Sequence, residues 1–321
     1  MTAWEAGWQL DVIRWFQVWR VPAVQAVALF FHVIGSAPFY IGALPFVYWC
    51  VDAVFGRRLG AILMFNFWLN GALKSWWRRP RPFSLSTDIT PPVLESSYGA
   101  PSGHTQGSAF IGAFVAHTLR RRWVTVLMVA YILLMGLSRM MLGVHYPQDV
   151  ISGLIVGLLL VAAYAHFEPR IGPWFESQSS LVRIGLIVAA GVVMTALHPG
   201  LIHVSSPEWL ATPVDPEHLF DGPAAPIAAF LGLGIGFVLE REHVRFSARG
   251  PALQRVLRFV VGVAGVLALY FGIDTLSSGL HPILVFRMLL YGSIAFWVAF
   301  GAPWVFVKIG LADIQEDVIS A

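Results

Sequence analysis

Charged residues are scarce in this chain. Only 12% of its 321 residues are Asp, Glu, Lys or Arg, against about 25% in an average soluble domain. Because 57% of the residues are also hydrophobic, the composition excludes an ordinary soluble domain and predicts an all-α, polytopic integral membrane protein. The basic residues are scattered rather than gathered in a patch interleaved with aromatics, so we expect no nucleic-acid partner.

Cysteine is nearly absent too. The one cysteine, Cys50, lies in an apolar run, which excludes an intrachain disulfide and a thiolate metal cluster and favours a buried packing role. The sequence also lacks an HExxH motif and any acidic cluster with metal-ligand spacing. We therefore predict no metal and no cofactor.

The beginning of the chain lacks the basic start and apolar core of a cleavable signal peptide. Instead it carries tryptophans at Trp4, Trp8, Trp15 and Trp19. This spacing suits either a helix in the membrane interface or a helix packed on the protein. The following run, Val21–Ile34, is too short to cross a bilayer alone, so we expect a half-helix or an interfacial segment.

The rest of the chain contains apolar runs long enough to serve as transmembrane helices, which need about 20 residues, or fewer inside a bundle. We predict spans at 37–54, 59–77, 103–119, 123–140, 147–166, 181–197, 224–240, 254–275 and 283–307. That makes about nine transmembrane helices, or ten if Val21–Ile34 also crosses.

Orientation follows from the arginines in alternate connections. The positive-inside rule places the connections with arginine at 57–58, 120–122, 170–183 and 241–255 in the cytoplasm. The loops at 78–102, 141–146, 198–223 and 276–282 are then external. The first external loop, with the helix end before it, is an exception because it carries several cations.

Those cations lie in "KSWWRRPRP", residues 74–82, where Lys74 and Arg81 are seven residues apart and Arg78 and Arg79 lie between them. Cations at the edge of a membrane helix are costly unless they snorkel, pair or bind something. A snorkelling cluster at the lipid headgroups would explain them. Taken alone, the run favours such a cluster; an anionic ligand such as phosphate is the alternative, and it also accounts for their position on the external side.

The stretch "PSGH" begins the helix predicted at 103–119. Ser102 suits an N-cap, and Gly103 lets the backbone approach a ligand closely. A helix start of this kind leaves free N–H groups that favour an anion, and His104 lies in its first turn.

A third segment, "SRMMLGVHYPQD", covers residues 138–149. Arg139 ends one predicted span, His145 lies in a short external loop, and Pro147 suits the first position of the next helix. Asp149 would then lie within reach of His145. A carboxylate that binds one imidazole nitrogen fixes the tautomer and leaves the other nitrogen free to attack. A structural helix cap is the alternative interpretation of this pair.

The three segments, K-x6-R-P, P-S-G-H and S-R-x5-H-x3-D, occur in this order at the external ends of neighbouring spans. Together they resemble the type-2 phosphatidic acid phosphatase family over residues 59–166. Members in membranes remove phosphate from lipid phosphates and diphosphates, and they share their site with soluble acid phosphatases and vanadium haloperoxidases. Every motif position is filled in this chain.

The resemblance implies a role for each motif residue. His145 would attack phosphorus and form a phosphohistidine, Asp149 would orient it, and His104 would protonate the leaving oxygen and then activate water. The phosphate-binding residues would be Lys74, Arg81, Ser102, Gly103 and Arg139. A tandem pair, Arg78 and Arg79, is left over; it would hold a second phosphate or meet headgroups. The remaining histidines, including His32, are expected to be packing or loop residues.

These expectations divide the chain into an N-terminal interfacial segment (1–36), a catalytic helical core (37–170) and additional C-terminal transmembrane helices (171–321). The expected substrate is a lipid phosphate or diphosphate: a polyprenyl diphosphate, phosphatidic acid or phosphatidylglycerol phosphate, or a sphingoid-base phosphate. A soluble sugar phosphate is the second possibility, and a non-catalytic lipid-binding or transport protein is the third. Frequent arginine and rare lysine are compatible with a bacterial protein. We therefore expect a bacterial cytoplasmic membrane, in which the external site faces the periplasm or exterior. The oligomeric state stays open.

Overall fold

Helices dominate the computed structural model of the protein, which describes residues 3–93, 95–202, 221–276 and 284–315. Within these ranges, β-structure is confined to an isolated bridge between Phe246 and Ile314. This agrees with the all-α prediction. The external loops predicted at 198–223 and 276–282 lie largely outside the described residues.

The α-helices of the described ranges are α1 (Ala3–Val18), α2 (Pro22–Ile34), α3 (Ala37–Cys50), α4 (Ala53–Trp77), α5 (Pro82–Leu85), α6 (Gly103–Leu119), α7 (Arg122–Met141), α8 (Pro147–Ser177), α9 (Ser180–Leu197), α10 (Pro199–Ile202), α11 (Asp221–His243), α12 (Ala252–Leu276), α13 (Leu284–Phe296) and α14 (Ala302–Lys308). A π-helical turn, Trp297–Gly301, joins α13 to α14.

Six helical segments in the described part of the chain are long and apolar enough to cross a membrane, with mean hydropathy between 1.7 and 2.2. They are α7, α8, α9, most of α11, most of α12 and the run Leu284–Lys308. The chain is thus an integral membrane protein. The count of nine spans stays a prediction, because α3 is short, α4 carries three cations and α6 has only 17 residues.

Predicted and observed helices differ most at α8. The predicted span, 147–166, stops where hydropathy falls, whereas helical hydrogen bonding continues to Ser177. A helix needs no apolar side chains to propagate, so its end cannot be read from hydropathy. The predicted domain boundary at residue 170 falls inside this helix, and the division into three domains stays a prediction.

The first two helices meet at a sharp bend of 117°, between Gly7–Val18 and Pro22–Ile34. One face of α1 packs on the protein, where Ile13 is buried against Ile89 and Tyr146. Its tryptophans at Trp8 and Trp15, and Trp19 just after it, remain exposed. The packing on protein is therefore observed, while a membrane-interface position for the exposed tryptophans, like a crossing by α2, stays a prediction.

The chain divides into two compact units. The described residues of unit 1 fall within Met1–Tyr40, Asn66–Pro169 and His198–Leu219, and those of unit 2 within Ile41–Phe65, Arg170–Leu197 and Phe220–Ala321. In unit 1, α7 packs against both α6 and α2. Every residue predicted for the phosphate site belongs to unit 1.

A buried amide network joins α4 to α6 in unit 1. The Asn70 side chain donates to the carbonyl oxygen of Pro101 (3.2 Å) and to Gln106 Oε1 (2.9 Å). Gln106 in turn donates to the side chain and backbone oxygens of Asn66, both at 3.0 Å. Because buried amides without partners are costly, this network fixes the start of α6 relative to α4.

Two glycines on α8 allow it to lie directly against the start of α6. A Cβ added at Gly153 would lie 2.6 Å from the carbonyl oxygen of Ser102, and one at Gly157 would lie 2.5 Å from that of Gln106. Both neighbours are backbone oxygens, one of the N-cap and one within α6, and cannot move aside alone. This one-turn spacing of small residues is typical of close helix packing in membranes.

We expect Gly157→Ala to lower the thermal unfolding temperature in detergent, although alanine is intrinsically the better helix former. The added methyl overlaps the α6 backbone, and such overpacking costs about 1–3 kcal/mol. Gly185→Ala is the matched control, since a Cβ there meets nothing within 4 Å. Equal unfolding temperatures for the two variants would contradict the close packing of α8 on α6.

In unit 2, buried polar groups of α3 bind the π-helical turn. Tyr48 Oη donates to the carbonyl oxygen of Ala299 (3.1 Å), and Trp49 Nε1 donates to that of Val298 (2.9 Å). Nearby, the fully buried carboxylate of Glu240 pairs with Arg57 Nη1 at 3.0 Å. Cys50 is a free, buried cysteine, as predicted.

Candidate active site

The last turn of α4 presents Lys74, which is buried. Its Nζ donates to the carbonyl oxygens of Tyr98 and Gly99, the latter at 3.3 Å. The segment just before "PSGH" therefore folds back onto the end of α4. Backbone carbonyls partly compensate the cation for its lost hydration.

Arg81 precedes the short helix α5 and is only 1% exposed. Its guanidinium spreads over several acceptors: the carbonyl oxygen of Ser97 at 2.6 Å from Nε, that of Val144 at 2.9 Å from Nη1, and Glu95 Oε2 at 3.4 Å from Nη2. The planar fork of arginine suits this divergent set of acceptors. One cation thus links the loops on either side of the site.

His145 lies between Arg81 and Asp149. Its Nε2 is 3.2 Å from Arg81 Nη1, and its Nδ1 is 3.3 Å from Asp149 Oδ2. Arginine can only donate and a carboxylate only accepts, so this network assigns the proton to Nδ1 and the lone pair to Nε2. Asp149, in the first turn of α8, also accepts from the backbone N–H of Tyr146 at 3.0 Å.

The electrostatic environment keeps His145 neutral. Burial lowers the pKa of its imidazole well below the usual value, and the charges of Arg81, Lys74 and Arg139 lower it further. An unprotonated nitrogen is therefore available at neutral pH, which nucleophilic attack requires.

The "PSGH" stretch forms the N-terminus of α6, as the sequence predicts. Ser102 is the N-cap, and its Oγ accepts from the backbone N–H of Thr105 at 3.4 Å. Its own N–H donates to the backbone oxygen of Asp149 at 2.9 Å, which joins this turn to the start of α8. A Cβ on Gly103 would lie 3.0 Å from Asn70 Oδ1.

His104 and Arg139 meet at His32, for which the sequence predicts only a packing or loop role. The ring of His104 stacks on that of His32 with centroids 5.1 Å apart, and its Nε2 lies 3.3 Å from the backbone oxygen of His32. Arg139, in the last turn of α7 and fully buried, places Nη1 3.1 Å from His32 Nδ1.

Glu95 is a second residue of the site that sequence reasoning missed. Its carboxylate lies 3.4 Å from Arg81 Nη2 and 3.9 Å from Arg139 Nη1. Burial alone would raise the pKa of Glu95, but the surrounding charges of Arg81, His104, Lys74 and Arg139 lower it overall. An ionised carboxylate thus lies among the predicted phosphate-binding cations.

These groups also raise the question of a metal. The ligand atoms of His32, Glu95 and His104 all lie within 4.8 Å of one another, and two histidines with a glutamate are a zinc-type donor set. Arg139, however, lies 3.1 Å from His32 Nδ1 and 3.9 Å from Glu95. Its charge, with that of Arg81, repels a cation and favours an anion at this place.

The tandem arginines differ in burial, since Arg78 is exposed and Arg79 is half-buried. Arg78 is exposed, has a left-handed backbone (φ 46°), and donates from Nε to the carbonyl oxygen of Ser75 at 3.1 Å. The carbonyl oxygen of Arg79 accepts from the N–H of Gly99 at 2.8 Å. The role of this pair toward a second phosphate stays a prediction.

Known proteins resemble this chain over most of its length. Residues 55–173 match the PAP2 superfamily, and residues 224–314 match the PAP2 superfamily phosphatase, transmembrane extension. The motif resemblance near 59–166 is thereby confirmed. The C-terminal helices, in which the sequence shows no catalytic motif, carry a family extension of their own.

Individual relatives agree with this. Sphingosine-1-phosphate phosphatase 1 of Rattus norvegicus is 26% identical over 87% of this chain and 71% of the relative. Phosphatidylglycerophosphatase B of Bacillus subtilis is 35% identical over 32% of this chain and 53% of the relative. Glucose-6-phosphatase 3 of Mus musculus is 35% identical over 70% of this chain and 75% of the relative. The chain therefore belongs to the PAP2 superfamily and is an integral-membrane phosphatase.

Proposed function

We propose that this phosphatase hydrolyses a lipid phosphate or diphosphate through a phosphohistidine on His145, without a metal. The observation that carries the proposal is the chain of contacts Asp149–His145–Arg81. It holds a neutral imidazole with its lone pair directed at a buried guanidinium. Guanidinium groups bind phosphoryl oxygens bidentately, so a phosphate bound to Arg81 would lie next to the attacking nitrogen.

Binding begins with exchange of anions. The cations Lys74, Arg81 and Arg139 would receive the phosphoryl oxygens, with Ser102 and the Gly103 amide at the helix start as further donors. Arg81 now donates to His145 Nε2 and to Glu95. A phosphoryl group competes for these donors, and the released lone pair of His145 can then attack.

The reaction would proceed in two balanced steps. His145 Nε2 forms a bond to phosphorus while the bond to the leaving oxygen breaks, and His104 donates a proton to that oxygen. His104 then takes a proton from water, whose oxygen attacks phosphorus and breaks the N–P bond. Inorganic phosphate leaves, and both histidines return to their starting state. Asp149 keeps Nδ1 of His145 protonated and oriented throughout.

The relatives' names favour a lipid substrate. Two of the three described above are named for lipid phosphates, and a site at the ends of membrane helices can bind a headgroup while the tail stays in lipid. A polyprenyl diphosphate, phosphatidic acid or phosphatidylglycerol phosphate, and a sphingoid-base phosphate are the candidates. A soluble sugar phosphate is the second candidate, favoured by the similarity to a glucose-6-phosphatase. A non-catalytic lipid-binding or transport role would leave the Asp149–His145–Arg81 arrangement unexplained.

The test is phosphate release by purified protein in detergent from these lipids and from glucose 6-phosphate, with and without a chelator. We expect faster turnover of a lipid phosphate and no loss with the chelator. Preference for the sugar phosphate would overturn the lipid assignment, and a strict requirement for added metal would overturn the mechanism.

We also propose a bacterial cytoplasmic membrane with the site facing the periplasm or exterior. Right-side-out vesicles should then hydrolyse an impermeant substrate, and inside-out vesicles should not.

A further inference from the structure

We infer that His32, at the C-terminal end of α2, is a positioning residue that holds His104 and Arg139 in a fixed relation to each other. The inference rests on the proposed function, in which His104 transfers a proton and Arg139 binds phosphate. His32 lies outside residues 55–173, which match the PAP2 superfamily. The end of α2 would thereby be part of the active site.

The backbone of His32 determines which nitrogen of His104 transfers the proton. His104 Nε2 lies 3.3 Å from the backbone oxygen of His32, an acceptor that requires N–H at this position. Nδ1 is then the nitrogen that gains and loses a proton. Stacking of the two rings, with centroids 5.1 Å apart, holds the imidazole plane in place.

The end of α2 also encloses the His104 ring closely. A Cβ added at Gly35, the residue after α2, would lie 2.5 Å from His104 Cδ2 and 2.9 Å from Met135 Cε. The backbone just after α2 therefore lies against one part of the His104 ring while the ring of His32 stacks on it. The position of His104 depends directly on where α2 ends.

Arg139 contacts the same histidine through the other part of its ring. Its Nη1 donates to His32 Nδ1 at 3.1 Å, so the proton of the neutral His32 ring lies on Nε2. The fully buried arginine thus donates to a neutral ring, while the Glu95 carboxylate, 3.9 Å from the same Nη1, is the anion that a phosphoryl group would replace. One residue contacts the proton donor through its ring and backbone and the phosphate-binding cation through its Nδ1.

Two substitutions separate these contacts. His32→Asn keeps an acceptor oxygen near the place of Nδ1 but removes the stacking ring, whereas His32→Phe keeps the ring and removes the acceptor. Each is assayed on an alkyl lipid phosphate, whose leaving alkoxide needs a proton, and on p-nitrophenyl phosphate, whose leaving group does not. Val33→Asn and Val33→Phe are the matched controls, because Val33 is exposed on the same turn of α2.

We expect His32→Asn to lose about tenfold or more in kcat/KM on the alkyl phosphate and little on the aryl phosphate. The reason is that a displaced His104 slows only the reaction whose leaving group needs a proton. His32→Phe should lose by a similar factor on both substrates, mainly through KM. The Val33 controls should resemble wild type.

The proposed function is tested by phosphatase activity of the wild type and by its loss in His145→Ala. If either result is not obtained, the inference about His32 is overturned together with the proposed function. If that activity is present, equal losses by His32→Asn on both substrates would overturn the positioning role alone and indicate a general structural effect. Wild-type activity in both His32 variants would overturn it too.

Discussion

Purified His145→Ala should release no phosphate above background from any substrate that the wild type hydrolyses. The imidazole is the group that would bond to phosphorus, and alanine offers no nucleophile in its place. Removal of a nucleophile that acts together with its partners commonly costs on the order of 10⁶-fold in turnover. His117→Ala is the control, because His117 is exposed and lies at the far end of α6.

The phosphoenzyme gives a second measurement. With ³²P-labelled substrate and a denaturing quench that preserves phosphohistidine, label should remain on the wild-type chain during turnover and be absent from His145→Ala. His104→Ala should still become labelled by p-nitrophenyl phosphate, since that leaving group needs no acid, and should lose the label slowly because water is no longer activated. Label on His145→Ala would place the nucleophile elsewhere.

The parts of this site that the sequence predicts are those set by neighbours along the chain. Ser102 caps the helix that begins at Gly103, and Pro147 begins the helix that brings Asp149 to His145. Capping residues, proline at a helix start and a four-residue separation across that helix start are local signals. They required no knowledge of the packing.

The parts that the sequence does not predict depend on distant segments. His32 contacts Arg139, which lies 107 residues later in the sequence, and Glu95 contacts the same arginine from a loop. A histidine in an apolar helix looks the same in sequence whether it packs against lipid or beside an arginine. The position of Glu95, in the loop between the cationic segment at 74–82 and the helix that begins at Gly103, was the only sequence signal for that carboxylate.

Glu95 also explains how the site tolerates its own charge. Three buried cations without an anion would repel one another in a medium of low dielectric constant. The carboxylate lies 3.4 Å from Arg81 and 3.9 Å from Arg139, where an oxygen of a bound phosphoryl group would also be attracted. Binding of substrate would therefore exchange one anion for another within the same set of donors.

The second large effect is expected at Arg81, whose guanidinium contacts both His145 and Glu95. Arg81→Ala should lose about 10²–10³-fold in kcat/KM, the scale for removal of one preorganised donor, with much of the loss in kcat. Lys74→Ala and Arg139→Ala should each lose on the order of 10²-fold by the same reasoning.

Arg81→Lys separates charge from geometry. Lysine keeps the positive charge but lacks the planar guanidinium fork. It therefore cannot donate at the same time to a phosphoryl oxygen and to the backbone carbonyl oxygens of Ser97 and Val144, as the native arginine is placed to do. We expect it to recover only a small part of the loss of Arg81→Ala. The matched control is Arg122→Lys, an exposed arginine at the start of α7. Near-complete recovery in Arg81→Lys would mean that Arg81 acts as a general positive charge, and the bidentate contact beside His145 would no longer explain how phosphorus is presented to the nucleophile.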